Sequence, residues 1–129
     1  MTRLGAAWEA QNTPAALECF VPDAVYMEPP DAQLFVGHDQ LRAYFGALKP
    51  GTRMQFHALW FDEIAQTGAG EFSFGVAGKP NADHGMVGVT LRDDRISTWR
   101  EYHRKGPADF AAFSATDGKT WRWHIGNYP

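Results

Sequence analysis

From residue 53 onward, apolar and polar side chains alternate with a period of two through four successive runs: "RMQFHALWFDEI", "GEFSFGVAG", "HGMVGVTLRDD" and "RISTWREYHRK". Glycine, asparagine and aspartate separate the runs, and "RDDR" at 92–95 reads as a hairpin connection. A two-residue period sends successive side chains to opposite faces of a strand, so each run can bury one face and solvate the other. A chain with four such runs in a row must build an antiparallel sheet with a covered face.

The first fifty residues supply the cover. Leu4, Ala7, Trp8 and Gln11 recur at helical spacing, predicting a short amphipathic helix over 3–11. "NTP" at 12–14 breaks it and starts another, with Thr13 as the expected cap and Pro14 in the first helical position. Ala16, Leu17 and Phe20 form its apolar stripe, and Pro22 with Asp23 is expected to end it. "AVYMEPP" is a short β-prone run stopped by two prolines. "QLFVGHDQLRAYFGALKPG" then reads as a short strand, a turn at Gly37 and a third helix. Asp39 is its expected cap, Leu41, Tyr44, Phe45 and Leu48 its stripe, and Pro50-Gly51 its stop. After the last long run, "PADFAAF" suits one or two helical turns and "TWRWHIG" a final short strand, with Trp121, Trp123 and Ile125 on one face. Helices first and a meander of strands afterwards is the α+β class: one antiparallel sheet with helices on one face, and a concave interior suited to a ligand.

Several function classes are disfavoured. A net charge of −3, with no basic run beyond "HRK" at 103–105, argues against a nucleic-acid partner. Cys19 is the only cysteine, so there is no disulfide framework and no zinc knuckle. No stretch approaches the roughly 18 apolar residues of a membrane span, and "MTRLGAAWEA" lacks the apolar core of a signal peptide. A cytoplasmic protein without a membrane partner is the expectation. No glycine-rich loop opens a helix and no nucleophile elbow appears, which disfavours a nucleotide cofactor. The five histidines fall in different elements without ligand spacing, so neither a metal nor any other cofactor is expected. Aromatic residues, at 14%, are plentiful and raise the odds of an apolar pocket.

Two acids stand out. In "RISTWREYHRK", Trp99, Glu101 and His103 share one strand face, with Thr98, Arg100 and Tyr102 on the other. A carboxylate held against an indole loses hydration, and its pKa rises toward the range useful for proton transfer. The alternative is a surface ion pair with Arg100, Arg104 or Lys105, contributing about 0–1 kcal/mol. Glu28 lies two residues from Tyr26, so carboxylate and phenol point to the same side, a base beside a hydrogen-bond donor. The alternative there is a solvated glutamate at a strand end. Tyr26, Glu28 and Glu101 are therefore the candidate catalytic groups. Trp60, Phe72, Phe74 and Met86 alternate along the strands and suit core packing. Trp99, His103, Phe74, Trp60, Met86 and His84 are the candidate pocket walls, His84 as a neighbour of His103 across a hairpin.

"FVPDAVY" at 20–26 and "WREY" at 99–102, with "LFVGHDQLRAYF" between them, resemble the nuclear transport factor 2-like superfamily in its SnoaL-like, polyketide cyclase branch. The resemblance covers residues 4 to about 113 of a single domain, leaving 114–129 as an extension. It implies a curved antiparallel sheet wrapped around three N-terminal helices, a cone-shaped, cystatin-like α+β barrel that commonly dimerises through the sheet's outer face. It also implies that Tyr26, Glu28, Trp99 and Glu101 line the pocket. Relative to limonene epoxide hydrolase, the sequence departs where an Arg-x-Asp pair is needed, since "AQTGAGEFSFGVA" holds neither residue. Relative to ketosteroid isomerase, Glu28-Pro29 matches the base, but Leu4 and Val87 stand where oxyanion donors belong. The least demanding match is a cofactor-free cyclase or isomerase, moving a proton on a small apolar carbonyl compound. A non-catalytic module binding a small hydrophobic ligand or forming a dimer is the alternative, and epoxide hydrolysis a third reading.

Overall fold

The computed structural model describes residues 1–115; the expected strand in "TWRWHIG" lies outside them. Helix α1 (Thr2–Glu9) buries Leu4, Ala7 and Trp8, and its Gly5 lets the helix approach the sheet, where a Cβ would stand 3.0 Å from the Met54 carbonyl oxygen. Helix α2 (Thr13–Glu18) is capped by Asn12 rather than Thr13: the Asn12 side chain accepts from the Ala15 N–H at 3.0 Å.

Strand β1 (Phe20–Glu28) begins earlier than "AVYMEPP" suggested. Pro22 and Asp23 lie inside it, at the slip in register between Phe20 and Val25, where a proline forfeits no ladder bond. A 3₁₀ turn (Pro29–Asp31) leads to β2 (Gln33–Val36) and α3 (Gly37–Gly46). The four period-two runs are β3 (Thr52–Asp62), β4 (Thr67–Val76), β5 (Asn81–Arg92) and β6 (Arg95–Pro107), and "PADFAAF" yields α4 (Phe110–Ser114). The turn between β5 and β6 is tight, with Asp93 and Asp94 both at positive φ (53° and 59°), as a two-residue primed hairpin requires.

One six-stranded sheet runs β2-β1-β6-β5-β4-β3. Every pairing is antiparallel except one: β1 lies parallel to β6, with Tyr26 beside Trp99. The strands are therefore not a plain meander. The N-terminal segment returns to the far edge of β6, and this positions the site. Helices α1, α2 and α3 cover the inner face. Leu4, Phe20, Leu41 and Trp99 are wholly buried there, and Trp8 packs edge-on against Phe45, Phe74 and Trp99 at 5.4–6.0 Å between ring centroids. Each large apolar side chain so buried contributes about 1.5–3 kcal/mol. No helix among the described residues is long and apolar enough to cross a membrane.

Candidate functional site

From Thr98 onward, past the slip that leaves Ser97 unpaired, β6 keeps its parity: Trp99 and Glu101 are buried, His103 is partly buried, and Arg100, Tyr102 and Arg104 are exposed. The parallel neighbour β1 contributes Tyr26 and Glu28 to the same side. Across β5 and β4, Asp83, Gly85 and Val87 and then Phe72 and Phe74 continue that face. Between them lies a cavity of about 190 Å³, lined by Glu28, Asp31, Tyr44, Asp83, Glu101 and His103 over Phe72 and Phe74, with Gln33 at its edge.

The two glutamates are held differently. Glu28 is 3% exposed, and both its oxygens are engaged: Tyr44 donates to Oε1 at 2.7 Å and the Gln33 amide to Oε2 at 3.0 Å. Glu101 is 7% exposed and takes both its bonds on one oxygen, from the Trp99 indole N–H at 2.6 Å and the Tyr26 hydroxyl at 3.0 Å. Its Oε1 accepts no hydrogen bond among the described residues. Burial pushes the Glu101 carboxyl up to about 7, with the Glu28 charge adding to the rise and the Trp99 and Tyr26 donors opposing it. Burial, with the adjacent carboxylates, likewise pushes the hydroxyls of Tyr26 and Tyr44 above the ordinary phenol range, so both remain donors. His103 stands in a ring of acids, with Nε2 3.4 Å from Asp31 and 4.0 Å from Glu28, and Nδ1 3.9 Å from Asp83.

One ligand atom each from Glu28, Glu101 and His103 falls within 4.8 Å of the others, close enough to share a cation. Both Glu28 oxygens already carry donors, however. Of the four carboxylate oxygens, Glu101 Oε1 is the one that accepts no hydrogen bond among the described residues.

Of the expected wall residues, the structure brings Trp99, His103 and Phe74 to the cavity side and sends three elsewhere. Trp60 is 53% exposed and lines not the acid cavity but a separate, largely apolar groove. The bulge between Phe56 and Ala58 inverts the parity of β3, so Leu59 and Phe61 take the inward positions that Trp60 would otherwise hold. Met86 is on the outer face because its neighbour Val87 is buried inward. His84 pairs in register with Arg104, not His103, and also faces outward. There its Nε2 donates to the Pro107 carbonyl at 2.6 Å and its Nδ1 accepts from Ser73 at 2.7 Å, under Phe113 of α4. These are corrections of one residue in register or parity.

Tyr44, Gln33, Asp31 and Asp83 are absent from the expected set. Tyr44 left a trace in the sequence: a tyrosine in the buried stripe of a helix needs a partner for its hydroxyl. Asp83 shares strand parity with Val87, a weaker signal. A separate groove of about 280 Å³ is bounded by Met1, Leu59, Trp60, Phe61, Val89, Leu91 and Ile96, largely apolar, with the Met1 amino end at its margin.

The family model of the SnoaL-like domain matches residues 1–99. Among curated proteins, none matches the chain significantly. Of solved structures, a protein of unknown function with cystatin-like fold from Methylobium petroleophilum PM1 is similar at 18% identity, covering 99% of this chain and 91% of its own, with a TM-score of 0.70. A candidate ketosteroid isomerase from Kribbella flavida DSM 17836 is similar at 12% identity over 90% and 84%, with a TM-score of 0.69. An LEH-like epoxide hydrolase of M. tuberculosis is similar at 14% identity over 80% and 74%, with a TM-score of 0.67. At these identities the likeness concerns the fold.

Proposed function

The chain belongs to the SnoaL-like domain family, and on that footing we propose that it is a cofactor-free isomerase or cyclase-type enzyme whose proton carrier is Glu101. The supporting observation is the state of that carboxyl: buried, poised at about 7, and with one oxygen free beside a cavity. A base with a pKa near the working pH combines a usable ionised fraction with real proton affinity. The ionised Oε1 takes a proton from carbon next to a substrate carbonyl, the C–H electron pair passes into the enolate, and the same oxygen returns the proton at another position. Trp99 and Tyr26 hold the carboxylate in place by donating to Oε2. Tyr26 thus orients the base rather than the substrate. Glu28, engaged by Tyr44 and Gln33, supplies negative charge that raises the proton affinity of Glu101. His103, which lines the same cavity, is the group assigned to donate to the enolate oxygen.

A non-catalytic binding module is a second reading, favoured by the largely apolar groove near Leu59 and Phe61. Epoxide hydrolysis has less support, because the inward positions of β4 are Gly68, Gly70, Phe72 and Phe74, with no group to polarise an epoxide. We further place the enzyme in the cytoplasm as a single-domain homodimer, joined through the outer face where Trp60, Met86 and Tyr102 are half exposed. Sedimentation of Tyr102→Glu against the parent would show a shift to monomer.

The decisive experiment is deuterium uptake from heavy water into a panel of small ketones and enones. Protein-dependent exchange that disappears in Glu101→Gln and persists in Glu28→Gln supports the assignment. Exchange lost only in Glu28→Gln reverses the roles of the two acids, and exchange with no ketone removes the carbon-acid reading.

A further inference from the structure

The cavity is one-sided in charge. Four carboxyl groups border it, those of Glu28, Asp31, Asp83 and Glu101, and none of its lining residues is Lys or Arg. Strand parity produces the separation: Arg100 and Arg104 alternate to the outer face of β6 while Glu101 and His103 turn inward. Lys105 stands opposite Asp83 in the ladder, but it is exposed and enters no ion pair among the described residues. The one basic group on the wall is His103, already within 4.0 Å of Asp31, Glu28 and Asp83. Even as a cation it could answer only one of the carboxylates Glu28, Asp31 and Asp83, and Glu101, pushed up to about 7, adds a further charge as it ionises.

Two further observations point to what fills the imbalance. Glu101 is more than nine-tenths buried, lines the cavity and leaves Oε1 without a donor among the described residues, an acceptor that the protein itself does not satisfy. The remaining wall is aromatic: Tyr44 and Phe74, both partly buried, offer ring surface, which attracts a cation through its quadrupole. At about 190 Å³ the space equals that of about six waters, enough for a compact head group. A neutral ligand of that size would strip water from the carboxyls and return no charge. A cation does both jobs, pairing with the acids and lying against the rings.

We propose that the cavity binds a small organic cation, an amine or alkylammonium group, as the substrate or as its anchoring part. This rests on the reading of the cavity as the functional site and narrows its substrate class from neutral carbonyl compounds to those carrying a cationic nitrogen. The acid rim recruits and holds that nitrogen, and Glu101 remains the group facing the reacting atoms.

Choline and its uncharged isostere 3,3-dimethylbutan-1-ol test the idea on the full chain, by calorimetry and by ligand-observed NMR. Choline should bind at least about tenfold more tightly than the alcohol, the difference being charge alone. Asp83→Asn, at a half-buried rim position, should weaken choline about threefold or more and leave the alcohol unchanged, with a thermal melt confirming the fold. Glu101→Gln should weaken choline further. Equal or tighter binding of the alcohol overturns the proposal, as does binding of neither compound, or of manganese ions without choline. Ketone exchange lost in Glu101→Gln, with no preference for choline, would remove the cation and leave the base. Charge-dependent choline binding without exchange in any compound would do the reverse.

Discussion

Replacing Glu101 by glutamine should stabilise the protein at high pH and not at low pH, with a calculable difference. Gln keeps an acceptor oxygen for the Trp99 and Tyr26 donors at 2.6 and 3.0 Å, so both bonds can survive the change. What is removed is a carboxyl whose pKa rises on folding from 4.5 to about 7, chiefly through burial. Between those values the folded chain keeps a proton that the unfolded chain has released, so the parent loses stability as pH rises through the window. At about 1.4 kcal/mol per pH unit, the loss totals about 3 kcal/mol, fully absent below pH 4.5 and complete above about 7. The glutamine variant has no such proton. Its stability relative to the parent should therefore improve by about 3 kcal/mol between about pH 4 and about pH 8. Urea unfolding at a series of pH values reads this directly, because a slope of about 1.5 kcal/mol/M turns it into a relative midpoint shift of about 2 M. Groups other than Glu101 are common to both proteins and largely cancel in the difference. A difference independent of pH would refute the reasoning, and one of opposite sign would show that Glu101 is held ionised.

Other outcomes follow from the same geometry. Tyr26→Phe removes one donor to Glu101, so the carboxyl should titrate higher still by NMR, with a loss of about 2 kcal/mol in denaturation above neutral pH. Glu28→Gln removes the neighbouring charge, and the Glu101 titration should move down toward its ordinary range. Gly85→Ala drives a Cβ into the Tyr102 carbonyl oxygen and the His103 Cα, and should destabilise the protein by about 2 kcal/mol or more in urea unfolding. Leu4→Ala, at a wholly buried position of α1, should cost about 3 kcal/mol by the same assay.

The α+β class and its cone of sheet and helices were legible because period two dominates the chain after residue 53 and helical spacing dominates before it. The common face of Trp99, Glu101 and His103 follows from parity within one strand, which needs no partner to be known. Less legible is everything that depends on how distant strands meet. Tyr26 reaches Glu101 across 75 residues of sequence because β1 enters parallel to β6, and nothing local to "AVYMEPP" carries that direction. Trp60 leaves the inner face because of a single-residue bulge, which inverts parity without altering the composition of the run. His84 is lost to the cavity by a one-residue register difference, and the same offset gives it Ser73 and Pro107 as partners. Pro22 reads locally as a helix stop, whereas the slip in the β1–β6 ladder lets a strand pass through it.

The roles assigned to the two acids depend on one quantity, the protonation state of Glu101 near neutral pH. Carbon-13 NMR of the side-chain carboxyls, with Glu101 assigned through the glutamine variant, measures it without any substrate. A midpoint at about 7 for Glu101 is the predicted result. A midpoint at or below 4.5 would contradict it, and with it the choice of Glu101 as the group that moves the proton.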